Sequence, residues 1–256
     1  MTNSTLTRAT MPIVELRQYT LQPGQRDVLI DLFERHLIEP QHAAGMQVLA
    51  HFRDLDAADR FVWFRGFASM DARASSLPRF YIDGDAWKTH RDAANATMID
   101  SDNVLLLREA RPGSGFAAAT APRPRIDAPA TSTARVVVTT YAFAAAVDDA
   151  FLDFFDATMA PQIAATGARL LATYASADSA NNFPRLPVRE GEHVFVWVAA
   201  FDGDAAVARH AAFVRSSLYW RDAVEARLSQ WLIAPAEVRR LMPAARSLVQ
   251  GGAQTP

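Results

Sequence analysis

The chain has 256 residues, of which 50% are hydrophobic and 21% are charged, and its formal net charge is -2. That length fits one large domain or two small ones, and the interspersed charges give no clustered basic face for a nucleic acid. The lack of cysteine excludes disulfides, thiolate catalysis and cysteine-based metal sites, and no apolar run is long enough to span a membrane, so we predict a cytoplasmic protein.

The first part of the chain predicts the order β-α-β-β-α-β. Residues 13–21 alternate and are rich in β-branched and aromatic side chains, which is typical of a strand. Apolar residues at helical spacing follow, and we expect Pro40 to end that helix. Two strands, at 46–53 and 61–67, then form a hairpin. Helical segments from Ser69 and over 87–98 lead to a last strand at 104–108.

A repeat is visible on either side of a segment with unusual composition. Residues 111–134 are dense in Pro, Gly, Ala, Ser and Thr, which predicts a flexible linker. The halves align at an offset of 122, which becomes 134 after an insertion around 181–191. The matched pairs include Tyr19 with Tyr141, Gly45 with Gly167 and Trp63 with Trp197. This ordered series predicts two related domains, 11–110 and 135–242.

Each predicted unit is a four-stranded antiparallel sheet with helices on one face. The other face is also largely apolar, and the linker supplies the partner copy at high effective concentration to cover it. We therefore expect sheet to stack on sheet around a barrel-like core. The predicted fold class is α+β: tandem ferredoxin-like units that form a dimeric α+β barrel-like pseudo-dimer.

Two stretches of the first unit carry a family resemblance. The opening VELRQYTL with Pro23 and Gly24 resembles the first strand and turn of NIPSNAP-domain proteins, and FVWFRGF with Arg73 shortly after it is similar to that family too. Residues 87–91 and 100–106 resemble its C-terminal part, whereas the second unit resembles it faintly. The resemblance implies the dimeric α+β barrel fold, which small monooxygenase-like and heme-degrading enzymes also use. A shared fold says little about chemistry.

Ionisable residues share strand faces in the first unit. Side chains two apart on a strand point the same way, so Glu15, Arg17 and Tyr19 line one face of the first strand, while Arg65 lies on another strand. If both faces are covered, these charges must be paired. The second unit has Val137, Thr139, Thr173 and Ala199 in place of Glu15, Arg17, His51 and Arg65, and it keeps Tyr141 in place of Tyr19.

Two interpretations fit this difference between the copies. The charges can form a structural ion-pair network. Alternatively, they can line a pocket in which an arginine binds an anionic or carbonyl group while another residue handles protons. A network needed only for folding should be needed in both copies. The candidate catalytic set is therefore Glu15, Arg17, Tyr19, His51 and Arg65.

Aromatic and polar residues of the first unit can complete such a pocket. Trp87 and His90 lie on one side of their predicted helix, as do Arg91 and Asn95, although a solvated helix face explains these pairs as well. The candidate lining of the pocket is Trp63, Tyr81, Trp87, His90, Arg91 and Asn95.

The sequence encodes no recognisable cofactor. The six histidines lack the spacing of a metal site, so we predict none; a heme needs a single axial histidine, for which His51 or His90 would serve. No phosphate-binding glycine loop, nucleophile elbow or dinucleotide fingerprint is present in the sequence. The cofactor therefore stays unknown.

We predict a small organic or anionic ligand in a pocket of the first unit, with oxygen-dependent or proton-transfer chemistry by analogy of fold. The alternative is a non-enzymatic interaction or scaffold protein that uses the barrel as a binding surface. A homo-oligomer is compatible with either function. A cavity beside Arg17 and Arg65 would favour the first function, and close-packed salt bridges would favour the second.

Overall fold

The computed structural model describes residues 11–117 and 122–250. Its first half contains β1 (Ile13–Leu21), α1 (Arg26–Leu32), α2 (Ile38–Ala43), β2 (Gln47–Asp54), β3 (Arg60–Phe67), α3 (Met70–Tyr81), α4 (Asp85–Ala96), β4 (Met98–Asp100) and β5 (Val104–Glu109). Its second half contains β6 (Arg135–Phe143), α5 (Asp149–Phe154), α6 (Ala160–Ala165), β7 (Arg169–Ser176), β8 (His193–Phe201), α7 (Gly203–Ser216), α8 (Ala226–Leu228) and β9 (Glu237–Pro243).

The strands form a closed barrel in which every pairing is antiparallel. The order around the barrel is β1, β3, β2, β9, β6, β8, β7, β5 and back to β1, with short β4 adding to one end of β1. The two units therefore meet through their edge strands, β2 with β9 and β5 with β7, and not by the face-to-face stacking that we expected. Edge pairing satisfies backbone groups that stacked sheets would leave open.

Closure divides the apolar side chains between two environments. The inner faces of both units enclose one core, built from Val14, Leu16, Phe52, Phe64, Leu107, Val136, Val138, Tyr174, Val196 and Leu241 among others. The outer faces pack beneath the helices in two separate cores, one for each unit. The predicted arrangement of helices on one sheet face is confirmed.

Local details recur at the predicted offsets. A π-helical segment joins the first two helices of each half, Phe33–Leu37 in the first and Phe155–Met159 in the second, 122 residues apart. Gly45 and Gly167 follow these helices with φ of 99° and 87°, a conformation that glycine adopts without strain. The division into domains stays a prediction, because the two halves share one barrel.

The prediction that Pro40 ends the first helix is wrong. Pro40 lies inside α2, directly after the π-helical segment Phe33–Leu37. A proline ring in a regular helix clashes with the carbonyl four residues earlier, and it donates no hydrogen bond. The wider π turn lies where that clash would occur, so the chain continues as a helix to Ala43.

The segment between the units lacks regular secondary structure, but its described residues are anchored; residues 118–121 lie outside the described part. The Phe116 ring packs edge-on against Phe64 at 5.0 Å between centroids, and its backbone N–H donates to the Tyr174 hydroxyl. Arg123 donates to the carbonyl oxygens of Val48 and Arg246. Composition alone did not predict these contacts. Within the described residues, no helix has the length and apolar character of a membrane span.

The shared inner core can be tested on β9. Leu241 is fully buried in that core, whereas Val238 on the same strand is 54% exposed. Leu241→Ala should lower the free energy of unfolding by about 2–5 kcal/mol, because it removes buried methyl groups and leaves a cavity. Val238→Ala should change it by less than about 0.5 kcal/mol. Chemical denaturation of both variants measures the difference; equal values would argue against closure of the barrel by β9.

Candidate functional site

Four charged side chains meet on the helix-covered face of the first unit. Glu15 accepts hydrogen bonds through Oε2 from Arg17 Nη1 at 2.8 Å and from Arg65 Nη2 at 2.6 Å, and through Oε1 from Arg73 Nε at 2.7 Å. All four side chains are buried, with exposed fractions of 0–1%. We call Glu15, Arg17, Arg65 and Arg73 the arginine cluster.

The strand register explains how three members of this cluster meet. Glu15 lies opposite Arg65 in the β1–β3 pair, and Arg17 is two residues further along β1 on the same face. Arg73 reaches the same carboxylate from the first turns of α3. The predicted grouping of Glu15, Arg17 and Arg65 is present, but Arg73 was absent from our site prediction, because strand periodicity does not report on a helix above the sheet.

Burial and charge act in opposite directions on Glu15. Burial alone would raise the pKa of this carboxyl, but the guanidiniums of Arg65, Arg17 and Arg73 outweigh it and hold the pKa well below its usual range. Glu15 is therefore ionised at neutral pH. A carboxylate surrounded in this way is a poor general base, since it has little affinity for a proton.

Aromatic residues and an amide surround the cluster. Tyr19 accepts from Arg17 Nε at 2.7 Å, and Arg65 Nη1 donates to the Tyr81 hydroxyl at 2.9 Å and to Gln41 Oε1 at 3.3 Å. Trp63 lies under two guanidiniums, with Arg65 at 5.2 Å and Arg17 at 5.6 Å from its ring centroid. These contacts match the close-packed salt bridges that favour a structural network over a pocket at Arg17 and Arg65.

His51 does not join the cluster. Its Nε2 lies 2.7 Å from Glu34 Oε1, and its ring packs against Phe33 at 5.5 Å between centroids. Burial lowers the pKa of His51 in spite of Glu34, so the imidazole is neutral at pH 7. Its Nε2 is engaged by the carboxylate, which argues against His51 as an axial ligand through that atom.

The predicted pocket lining is only partly assembled. Trp87 packs against Tyr81 at 4.9 Å between centroids, at the edge of the first-unit core. His90 instead stacks on His36 at 4.1 Å. Arg91 and Asn95 lie on the exposed side of α4. Arg91 and Asn95 therefore lie on the solvated helix face that was our alternative interpretation, whereas His90 is half-buried.

A cavity of about 570 Å³ lies at the corresponding place in the second unit. Val137, Thr139 and Val207 line it, and by the offsets of 122 and 134 they stand where Glu15, Arg17 and Arg73 stand in the first unit. The register agrees, because Val137 lies opposite Ala199 as Glu15 lies opposite Arg65. Small and apolar side chains thus replace the arginine cluster and leave space beneath the helices.

The cavity wall is largely apolar, with a few polar groups. Tyr141, Trp197, His210 and Trp220 are buried there, while Arg215, Glu225, Ser229 and Arg240 are exposed at its mouth. The Trp197 indole N–H is buried and makes no hydrogen bond of normal geometry among the described residues, although it lies close enough to the Tyr141 hydroxyl to oppose the rise of that group's pKa. Burial raises the pKa of Tyr141 to about 12, so its hydroxyl keeps its proton at neutral pH.

His210 has a defined tautomer. Thr166 Oγ1 lies 2.6 Å from the Ile163 carbonyl and 2.9 Å from His210 Nδ1. The hydroxyl has one proton, which it donates to the carbonyl, so it must accept from His210 Nδ1–H. Nε2 then carries a lone pair. Burial lowers the pKa of His210, which keeps the ring neutral at pH 7 and able to accept a proton or ligate one metal atom.

The other histidines give no metal centre. Within residues 11–117 and 122–250, no group of three or more His, Asp or Glu side chains is arranged to hold a metal ion. His210 is the residue of the second-unit cavity that could serve a cofactor needing a single nitrogen ligand.

Glu15 provides a test of the structural role of the arginine cluster. Glu15→Gln keeps the shape but leaves three buried guanidiniums without their carboxylate, so the free energy of unfolding should fall by about 3–5 kcal/mol. Asp222→Asn, which breaks an exposed pair with Arg221, should leave the free energy of unfolding nearly unchanged. Denaturant midpoints compare the two. A Glu15→Gln loss no larger than that of the surface variant would contradict a structural role.

The wild-type protein and Glu15→Gln should also differ in how their stability depends on pH. Because the folded pKa of Glu15 lies below the unfolded value of about 4.3, its contribution to stability is full above that value and is lost as pH falls further. Unfolding of the wild-type protein should therefore depend more steeply on pH below about 4 than unfolding of Glu15→Gln.

Comparisons with known proteins agree with the fold. Residues 14–111 match the family model described as NIPSNAP. Solved structures with the same fold include an anthrone oxidase-like protein, 13% identical over 92% of each chain with a TM-score of 0.57. A "putative monooxygenase" from Lactobacillus acidophilus NCFM is 13% identical over 91% of this chain and 94% of its own, with a TM-score of 0.51.

A third similar structure is the DyP-type peroxidase from Mycobacterium smegmatis, 10% identical over 95% of this chain and 96% of its own, with a TM-score of 0.51. The curated proteins include no match to the chain. At these identities the likeness shows a shared fold, and the predicted α+β fold class is confirmed. The likeness to the NIPSNAP family model extends over residues 14–111, which is nearly all of the first unit.

Proposed function

We propose that the protein binds a small, largely apolar organic molecule in the cavity of the second unit and supports its oxidation by molecular oxygen. The observation that carries this proposal is the cavity of about 570 Å³ at the place where the first unit holds the arginine cluster. The proposal moves the pocket from the first unit, where we predicted it, to the second. The oxygen-dependent or proton-transfer chemistry of the prediction is kept.

The lining suggests the kind of ligand. The walls contributed by Val137, Val207, Trp220 and Leu228 favour an apolar or aromatic body, and the volume is within the range of small-molecule sites. The buried donors of Tyr141 and Trp197 favour an oxygen acceptor on that body. An unsatisfied buried donor costs about 1–3 kcal/mol, so a ligand with a carbonyl or phenolic oxygen gains over its hydrocarbon analogue.

His210 supplies a proton acceptor for the reaction. In a ketone with an acidic methylene, such as anthrone, His210 Nε2 would take a proton from that carbon. The resulting enolate adds O2 at carbon, the peroxide anion takes the proton back from His210, and loss of water from the hydroperoxide leaves a second carbonyl. Anthrone plus O2 gives anthraquinone plus water, so O2 is the oxidant and no external reductant is needed.

The fold comparisons support this choice of chemistry by analogy. Two of the similar structures have names that refer to an oxidase-like protein and a monooxygenase. The match of residues 14–111 to the NIPSNAP family model adds no catalytic assignment of its own. The alternative of a non-enzymatic interaction protein keeps the same barrel but needs neither a filled cavity nor a titrating His210.

Filling the cavity tests the binding proposal. Val207→Phe adds a ring to the cavity wall and should raise the Kd for anthrone, measured without oxygen by quenching of tryptophan fluorescence, about tenfold or more. Val28→Phe, at a position 51% exposed on α1, should leave the Kd unchanged. Equal affinity of both variants for anthrone would place its binding elsewhere.

His210 tests the chemical step. His210→Gln should lower anthrone-dependent oxygen consumption about 100-fold or more, within the usual contribution of a positioned base, while the Kd changes little. His90→Gln, which alters a half-buried histidine outside the cavity, is the matched control. Because only neutral imidazole accepts the proton, the wild-type rate should rise with pH through a pKa below about 6.5 and be flat at neutral pH. Oxygen uptake by wild-type protein no faster than by His210→Gln would favour the non-enzymatic alternative.

A further inference from the structure

A long loop of the second unit covers the arginine cluster of the first. The connection between β7 and β8, residues 177–192, brings Asn181, Asn182 and Phe183 over α3. Phe183 is buried in the first-unit core and stacks on Tyr81 at 6.3 Å between centroids. We call residues 177–192 the covering loop. The shorter connection between β2 and β3 has no such reach.

The hydrogen bonds of Arg73 are incomplete. Its Nε donates to Glu15, and its Nη1 donates to Asn182 Oδ1 at 2.5 Å and to Asn181 Oδ1 at 3.1 Å. Its Nη2 is buried and has no partner among the described residues. Along the guanidinium edge formed by Nη1 and Nη2, only Nη1 is therefore hydrogen-bonded, and both of its acceptors are uncharged amide oxygens.

Charge is also unbalanced beneath this loop. Three guanidiniums surround the single carboxylate of Glu15, and the described residues place no second carboxylate in contact with them. Buried charges are stable when they are paired as well as hydrogen-bonded. Burial lowers the pKa of Arg73, with Glu15 opposing that change, which is the expected effect of a guanidinium that lacks its full share of negative charge.

We propose that the Nη1–Nη2 edge of Arg73 is a binding site for a carboxylate group of a small molecule, and that Asn182 occupies it in the free protein. A carboxylate fits this edge because its two oxygens accept two parallel hydrogen bonds from one guanidinium. The Asn182 carbonyl oxygen supplies one of these acceptors without the charge. Asn182 lies at the protein surface, so the ligand reaches Arg73 by displacing this side chain and not by opening the core.

The site is separate from the cavity of the second unit and does not depend on its proposed function. Arg73, Asn181 and Asn182 are not among the residues that line that cavity. The inner members of the arginine cluster, Arg17 and Arg65, remain structural. Arg73 is the member whose other contacts are neutral amides of a surface loop.

Variants of Asn182 test the site, with acetate as the probe. Asn182→Ala removes the competing carbonyl, so acetate should bind about tenfold more tightly than to the wild-type protein; binding is measured by calorimetry at constant ionic strength with chloride as the reference anion. Asn182→Asp places a carboxylate on the covering loop itself, and acetate binding should be lost. Asn95→Ala, at an exposed asparagine of α4, should bind acetate as the wild type does.

Two outcomes would overturn the proposal. The first is an equal affinity for acetate in the wild type, Asn182→Ala and Asn95→Ala, which would make Asn182 a purely structural contact. The second is acetate binding that survives in Asn182→Asp, which would place the anion away from Arg73. Val207→Phe should bind acetate normally, so failure of the cavity proposal and failure of this one are distinguishable. Phosphate binding in place of acetate would contradict the carboxylate assignment.

Discussion

The space between each sheet and its helices is the constraint from which the rest of the molecule follows. Both units pack helices over the outer face of the barrel, and both keep the same tyrosine and tryptophan there, Tyr19 with Trp63 and Tyr141 with Trp197. The first unit fills the remaining space with long arginine side chains. Three buried guanidiniums are tolerable only because Glu15 contacts all of them, so one carboxylate supports the packing of the whole layer.

The second unit solves the same packing problem with short side chains and leaves a cavity. An empty apolar cavity loses dispersion contacts along its lining, which is a cost to folding. A ligand that fills such a space, which is lined in part by the buried donor residues Tyr141 and Trp197, would restore those contacts. The loss of charge between the copies therefore gives the second unit the space, whereas our sequence argument assigned the pocket to the copy that kept the charges.

The sequence predicted the fold better than the site for a physical reason. Periodicity reports which side chains share a strand face, so the grouping of Glu15, Arg17 and Arg65 and the two-unit barrel were predictable. Periodicity does not report the space that the side chains leave between sheet and helices, so it could not distinguish a filled layer from one that contains a cavity. It also missed partners from other elements: Arg73 reaches Glu15 from a helix, and Glu34 reaches His51 from the π-helical segment. The substitution of every cluster position by a short residue was the available signal for the cavity.

The connection between β2 and β3 and the connection between β7 and β8 explain why the arginine cluster is covered and the second cavity is not. By the pseudo-symmetry of the barrel, each connection lies near the helix-covered face of the other unit. Residues 177–192 reach over the first unit and seal its cluster with Phe183, Asn181 and Asn182. The much shorter residues 55–59 reach only Arg240 at the mouth of the second cavity, through Leu55 and Asp56, and leave that mouth exposed. A single insertion in one copy thus covers the arginine cluster of its neighbour, and its absence in the other copy leaves the mouth of the second cavity exposed.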